Sequence, residues 1–441
     1  MNHTAENKQG TPRRQFLKST AAASVAAGAL GTLVVPRGVH AKEQEVIRVG
    51  LIGCGGRGTG AARDAMLADP HVQVVALGDV FEDKLQNSYK NLQRWANQHP
   101  KHKQQFAVSK ECCFVGFDAY QKVLDVGVDV VLLATPPHFR PQHLKAAVEK
   151  GVHIFAEKPV AVDAPGVRSV FQTVEQAEKK GISIVSGLCW RYDYGVRETM
   201  KRVLDGMIGD VLAIHEVYNT GYLRNLARRP DWSEMEYQLR NWLYFTWLSG
   251  DHNVEQHVHS LDKGIWCKGD QAPINCVGTG GRQVRTDPNR FGHIYDHFAV
   301  CYEFADGTKM FSYCRQQSGT DRDVNDYFIG TKGFCNVLRH TITDRKGKVI
   351  WRYRGPKPSM YVNEHQALYQ AIREGKPINN GRYMTISTMV AIMGRMSAYT
   401  GRKLTWEQAL NSKERLGPEK YSMDADVPVP PVAMPGVTPF V

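Results

Sequence analysis

Two stretches of the chain bring together residue types that can do chemistry. The first is Gly53-Cys54-Gly55-Gly56-Arg57-Gly58, a G-x-G-x-x-G pattern between a β-rich run at 46–52 and an Ala-rich run at 59–68. In that setting the first glycine permits a tight turn and the second lets the backbone approach a pyrophosphate. The third lets helix and strand pack closely, with the phosphates at the helix N-terminus. A second apolar run ends at Gly78-Asp79. A carboxylate there accepts hydrogen bonds from the adenosine ribose hydroxyls and repels a 2′-phosphate, which favours NAD over NADP. Arg57 and Lys84, near it in sequence, could blunt that preference. The second stretch contains Asp251, His252, Glu255, His257, His259 and Asp262. On one continuous helix over 254–267, Glu255, His259 and Asp262 share a face. Glu255 would then orient the His259 ring, and His259 would take a hydroxyl proton. His257 would point toward substrate or a neighbouring strand. No metal is expected there, because the five candidate ligands from Asp251 to His259 do not share one helical face.

Those residues need elements to hold them. Strand-like runs at 46–52, 72–77, 128–134, 152–156 and 182–187 alternate with helical runs at 59–68, 81–97, 141–150 and 164–180. That alternation predicts right-handed βαβ units and a doubly wound parallel sheet, a Rossmann domain over 44–189. After about Trp190 the texture changes. Runs at 211–218, 274–278, 297–304, 309–314, 326–330, 334–337 and 349–353 read as strands, several joined by tight turns such as Asp306-Gly307. Helices are expected at 194–205, 254–267, 362–374 and 384–400. This predicts an α+β domain over 190–425 with an open, mostly antiparallel sheet. An open sheet face needs cover, so a homodimer or homotetramer through that face is expected. The Pro-rich end, 426–441, reads as an extended tail, either an arm across a neighbour or loose.

At the junction, Arg191 and Tyr192 are candidate substrate contacts, with ordinary interdomain packing as the alternative. An aromatic-rich stretch (Tyr218, Tyr222, Arg224, Trp242, Tyr244, Trp247) either lines the site or packs between subunits.

Composition bounds the rest. A chain of 441 residues is long enough for two domains, and 42% hydrophobic with 23% charged residues is ordinary for a folded protein. The net charge of +12 comes from scattered basic residues without an aromatic-interleaved stripe, which argues against nucleic acid. Nine cysteines without framework spacing do not make a disulfide scaffold. Arg13-Arg14-Gln15-Phe16-Leu17-Lys18, the Ala- and Gly-rich stretch 21–35 and Val39-His40-Ala41 fit a twin-arginine signal peptide over 1–41. This predicts use of the twin-arginine export machinery and a periplasmic location.

Two further stretches complete a pattern. Ala134-Thr135-Pro136-Pro137-His138 closes the strand-like run at 128–134, and Ala156-Glu157-Lys158-Pro159 closes the run at 152–156. With the glycine turn, in this order and spacing, and with Gly206-Met207-Ile208-Gly209-Asp210-Val211 and Gly330-Thr331-Lys332-Gly333 downstream, the chain closely resembles the Gfo/Idh/MocA oxidoreductases, the family of glucose–fructose oxidoreductase and inositol dehydrogenase. The resemblance implies a site between the two domains, with cofactor contacts extending to Thr135, Pro136, His138, Glu157 and Lys158. It also implies that Lys158 lies beside the nicotinamide ribose and the reacting carbinol, where a lysine can relay a proton if burial lowers its pKa. Members usually carry Asp, then Gly, His and Asp in the helical segment; His259 and Asp262 match, whereas Glu255 and His257 depart from it.

An exported NAD enzyme must carry its cofactor and regenerate it in place. Hydride transfer between a sugar or polyol CH–OH carbon and a tightly held NAD is the leading reading. Redox-neutral, NAD-dependent glycoside hydrolysis by oxidation and elimination is the alternative, and a non-catalytic NAD-binding scaffold is the third.

Overall fold

A computed structural model describes residues 45–441; the leader read at 1–41 lies outside the described residues. Short apolar runs form the first sheet: β1 (Ile47–Ile52), β2 (Val72–Asp79), β3 (Cys113–Val115), β4 (Val130–Leu133), β5 (His153–Ala156) and β6 (Ile184–Ser186). All neighbours pair in parallel, in the order β3-β2-β1-β4-β5-β6. β4 is buried at every position, as expected of a strand with helices on both faces. The winding direction reverses between β1 and β4, and there the carboxyl ends of the strands leave a crevice for a ligand.

The second sheet contains β7 (Val211–Thr220), β8 (Asn275–Gly281), β9 (His297–Glu303), β10 (Lys309–Gln316), β11 (Asp323–Gly330), β12 (Gly333–Asn336), β13 (Thr341–Asp344), β14 (Val349–Arg352) and β15 (Leu404–Thr405). Its order is β14-β13-β12-β11-β7-β10-β9-β8-β15, antiparallel except where β10 meets β7. Here burial alternates, residue by residue along β9, because only one face is covered. The helices Val258–Cys267 and Gly381–Thr400 pack on the covered face. The other face carries Val277, Phe311 and Tyr313, all exposed, among His215, Cys301 and Tyr327.

The helix Gly381–Thr400 is buried at every position from Met384 onward and also packs on the helix Ala164–Lys179. Residues of both sheets therefore share one hydrophobic core. The chain also returns to the first sheet late. Leu368, Tyr369 and Ile372 of the helix Met360–Glu374 pack in the same core as β1 and β2. The Ile184 amide then donates to the Ile378 carbonyl, and the Asn380 amide to the Ile184 carbonyl, extending the sheet beyond β6. Residues 426–441 lie along their own chain: Gln238 Nε2 donates to the Val427 carbonyl at 2.6 Å, and Tyr295 Oη to that of Ala433 at 2.9 Å.

One expected element is corrected. The helix read over 254–267 is two pieces, His252–Glu255 and Val258–Cys267. The His257 amide donates to the His252 carbonyl five residues back, a π-type step that inserts a residue into the helical register. Tertiary bonds hold the step in place: His257 Nε2 meets Ser312 Oγ at 2.7 Å, and Gln316 Nε2 donates to Gln256 Oε1 at 2.7 Å. Glu255 and His259 consequently leave the shared face.

Candidate functional site

The glycine turn closes β1 and opens the helix Gly56–Ala68. Its three glycine roles are visible in the geometry. Gly53 has φ +99°, a conformation that favours glycine, and a Cβ there would lie 2.6 Å from the Ala134–Thr135 backbone. A Cβ at Gly58 would lie 1.8 Å from the Gly53 carbonyl oxygen, so only glycine lets the helix pack so closely. At Gly55 and Gly56 an added Cβ meets nothing within 4 Å: the space in front of the loop is open. That space is a cavity lined by Gly53, Gly55, Gly56, Asp79, Thr135 and Pro136, with Lys84 at its wall. Asp79 closes the far side. Its carboxylate accepts from the Cys54 amide at 2.6 Å and from the Phe81 amide at 2.9 Å, and each oxygen keeps a lone pair for a ribose hydroxyl. Bare backbone at a helix N-terminus with a carboxylate beyond it fits a dinucleotide.

Two arginines brace the loops around this cavity. Arg57 does not face the adenosine side, as its position near Asp79 in sequence suggested. It bonds Glu157, Glu364 at 2.7 Å and Asp64 at 3.3 Å, which ties the glycine turn to the loop after β5 and leaves it committed to carboxylates. Burial pushes the Glu364 carboxyl well above its ordinary range, against the pull of Arg57. Buried Arg140 donates to the carbonyls of Thr135, Glu157 (2.6 Å) and Pro159 (3.1 Å), fixing the loop after β4 to the loop after β5. Glu157 is thus a strut between loops rather than a wall of the cavity.

Lys158 follows β5 and reaches the broken helix. Its Nζ donates to the Glu255 carbonyl at 2.6 Å and lies 3.2 Å from Glu255 Oε1. Glu255 therefore holds Lys158 and not the His259 ring, which corrects the expected pairing; the π-type step is the cause. Burial, with the charges of Lys158, Lys263 and Arg57, drives His259 well below its ordinary pKa, so its imidazole is neutral. His259 Nδ1 is buried without a partner, and Nε2 makes no hydrogen bond among the described residues. Beneath it, Lys263 Nζ donates to the His259 carbonyl at 2.6 Å and lies 3.1 Å from Asp326 on β11. Lys158 and Glu255 thus form a pair, a cation and the carboxylate that orients it, and His259 lies within reach of the Lys158 charge as a neutral imidazole able to accept a proton.

Five other expected contacts fall elsewhere. His138 turns to Tyr421 Oη (2.7 Å) and the Trp247 ring, and burial lowers its pKa to about 4. Arg191 and Asp262 bond each other: Arg191 Nε and Nη2 each lie 2.9 Å from Asp262, and Asp270 and the Tyr383 ring complete the buried pair. Tyr192 is buried with its hydroxyl on Asn380 at 2.6 Å. These three pack the junction, the second of the two readings given for it. His257 is buried against β10 and pushed by burial to about 3. Among the described residues no group of three or more His, Cys, Asp or Glu is placed to hold a metal ion. Arg140, Glu364, Arg240 and Trp242 were not singled out as site residues; the first three are lone charges in a sequence, and only Trp242 stood in a flagged aromatic stretch.

Residues 47–185 match the GFO_IDH_MocA family, described as an oxidoreductase family with an NAD-binding Rossmann fold. Scyllo-inositol 2-dehydrogenase (NAD(+)) of Bacillus subtilis is 23% identical over 368 residues, 80% of this chain and 95% of that protein. A glycosyl hydrolase family 109 protein of Streptomyces niveus is 29% identical over 247 residues, 55% of this chain and 46% of that protein. The crystal structure of GenD2 from gentamicin A biosynthesis in complex with NAD superposes with a TM-score of 0.62 at 19% identity, over 84% of this chain and 99% of that one. The architecture, a parallel Rossmann sheet followed by a mostly antiparallel sheet, is shared with that solved structure.

Proposed function

We propose that the protein is an NAD-dependent oxidoreductase acting on a CH–OH carbon of a sugar or polyol. The observation that carries this reading is the cluster of Lys158, Glu255 and His259 at the carboxyl end of β5, beside a cavity shaped for a dinucleotide. The resemblance in sequence to an inositol dehydrogenase supports the substrate class. Bound in this cavity, NAD would supply a nicotinamide that accepts and returns hydride. Gly55 and Gly56 would admit the pyrophosphate, and Asp79 would bind the adenosine ribose. Asp79 favours NAD over NADP; Arg57 is committed to carboxylates, which leaves Lys84, of the two cations read beside Asp79 in sequence, to soften that choice. At the reacting end, Lys158 would hydrogen-bond the carbinol oxygen while Glu255 fixes its ammonium. His259, already neutral, would take the hydroxyl proton.

The twin-arginine pattern supports export to the periplasm with NAD already in place. The outward sheet face, with Val277, Phe311 and Tyr313 exposed, supports a second copy of this chain as its cover. The test is the nucleotide content of protein purified from the export compartment, followed by a screen of polyols and aldoses by absorbance of reduced cofactor. About one NAD per chain and a substrate-dependent reduction are expected. NADP in its place, or reduction by no CH–OH compound, refutes the proposal.

A second reading, redox-neutral glycoside hydrolysis, is favoured by the family 109 relative. Free sugar released from an aryl glycoside without added cofactor, and with no net reduced NAD, would replace the first reading by the second.

A further inference from the structure

One wall of the dinucleotide cavity does not come from the Rossmann half. Leu239, Arg240 and Trp242, from the helix Glu234–Arg240 and the turn after it, line the same cavity as Asp79, Phe81 and Phe117. They lie more than 150 residues beyond Asp79 in sequence, and no motif marks them.

Arg240 fastens this wall to the loop that carries Asp79. Its Nη atoms lie 3.0 and 3.1 Å from Asp83, and its Nε 2.8 Å from Glu236. Its guanidinium stacks 4.0 Å from the Phe81 ring centroid and 5.1 Å from that of Trp232. The Arg240 contact also holds the Asp83 carboxyl below its ordinary range. Behind the wall lies a separate apolar cluster in which Phe81 and Phe139 meet Met235, Leu239 and Trp247. Val427 of the C-terminal tail completes the cluster. Gln238 pins it there, accepting from Trp247 Nε1 and donating to the Val427 carbonyl, both at 2.6 Å. Three segments distant in sequence thus close on the adenosine side of the cavity.

We propose that Leu239, Arg240 and Trp242 form a cap over the adenosine half of the nucleotide site, latched by the Arg240–Asp83 pair and buttressed by the tail, and that opening this cap sets how slowly NAD enters and leaves. The inference rests on the reading of the cavity as an NAD site. It goes beyond that reading because it assigns nucleotide retention to residues outside the nucleotide motif. It also gives the Pro-rich tail a function within its own chain.

A cap that obstructs the mouth slows entry and exit alike, so it appears in both rate constants and hardly in Kd. A contact that merely adds affinity appears in koff alone. The experiment follows exchange of 1,N6-etheno-NAD by fluorescence on the full-length protein, with koff from displacement by excess NAD and kon from rebinding to nucleotide-stripped protein. Arg240→Ala removes an ion pair and a ring contact, and is expected to raise koff and kon together by about tenfold, with Kd moving less than about threefold. Asp83 is largely exposed, so Asp83→Asn is a variant that folds; it is expected to raise both rates by about threefold and to weaken their dependence on salt. Unchanged rates in both variants, or a rise in koff with kon fixed, would overturn the cap. Failure of the wild-type protein to bind etheno-NAD or NAD at all would instead refute the nucleotide reading beneath it.

Discussion

The two ends of the nucleotide site are built from different materials. The adenosine end is mostly apolar: Phe81, Phe139, Leu239, Trp247 and Val427 come from three distant parts of the chain and are joined at the surface by one ion pair. The reacting end is polar: Lys158, Glu255 and His259 sit among Arg57, Glu157, Glu364 and Lys263, and each charge is held by a named partner. Apolar walls depend on volume and tolerate replacement of similar size. A proton-handling cluster depends on particular atoms at particular distances. Retention and turnover should therefore separate genetically.

The largest effect expected is at the reacting end. Lys158→Ala removes the group that would hydrogen-bond the carbinol oxygen, and kcat should fall by about 10²–10⁴-fold, the usual range for a positioned acid or base. The content of bound NAD should stay at the wild-type level, since no atom of the Lys158 side chain lines the cavity. A variant that turns over normally would remove Lys158 from the chemistry, and one that loses its NAD would erase the separation between the two ends.

Gly58→Ala tests the opposite end. The added Cβ would sit 1.8 Å from the Gly53 carbonyl, where backbone and not a flexible side chain must move. Overpacking of this kind costs about 1–3 kcal/mol, and the shifted loop is the one that faces the pyrophosphate. A lower Tm together with a substoichiometric NAD content is expected. Gly55→Ala adds its Cβ to open space and should leave Tm unchanged while weakening NAD alone. If both variants behave alike in Tm, the division of roles among the glycines is wrong.

The same contrast explains what could be read in advance. The glycine turn, Asp79, Thr135 and Glu157-Lys158-Pro159 are local signals at strand ends, and the structure puts each at the carboxyl edge of the parallel sheet. A continuous apolar run marked β4, because a strand buried on both faces needs no alternation. The Glu255–Lys158 pairing was not legible, and the Glu255–His259 pairing read in its place does not form. A helical wheel assumes unbroken register, and the bonds from His257 to Ser312 and from Gln316 to Gln256 that break it reach across to a distant strand. Arg191 was noticed at the junction and Asp262 at the end of the His-rich segment, but nothing local indicates that each is the other's partner, 71 residues apart. The cap was illegible for the same reason: Arg240 acquires its role only when Asp83 and Phe81 fold against it.

The last effect is in pH dependence; it is the smallest near neutral pH, grows on acidification, and reaches both ends. His143, on the adenosine wall, and His257, beneath the reacting end, are each pushed by burial to about 3. His138 and His293 are pushed to about 4 by the same cause. In the unfolded chain these rings protonate near their ordinary value of about 6.5. Between that value and the folded values the unfolded chain binds more protons, so stability falls as pH drops from about 6.5 toward 4 and is flat above it. Urea unfolding across this window reads the global effect. The rate profile reads the local one: His259 is displaced downward by burial and by Lys158, so it stays neutral through pH 6.5 and the acid limb of kcat/KM should lie below that value. An acid limb centred at 6.5 or above would mean that His259 is not the base, and that the polar end draws its proton acceptor from outside the cluster assigned to it.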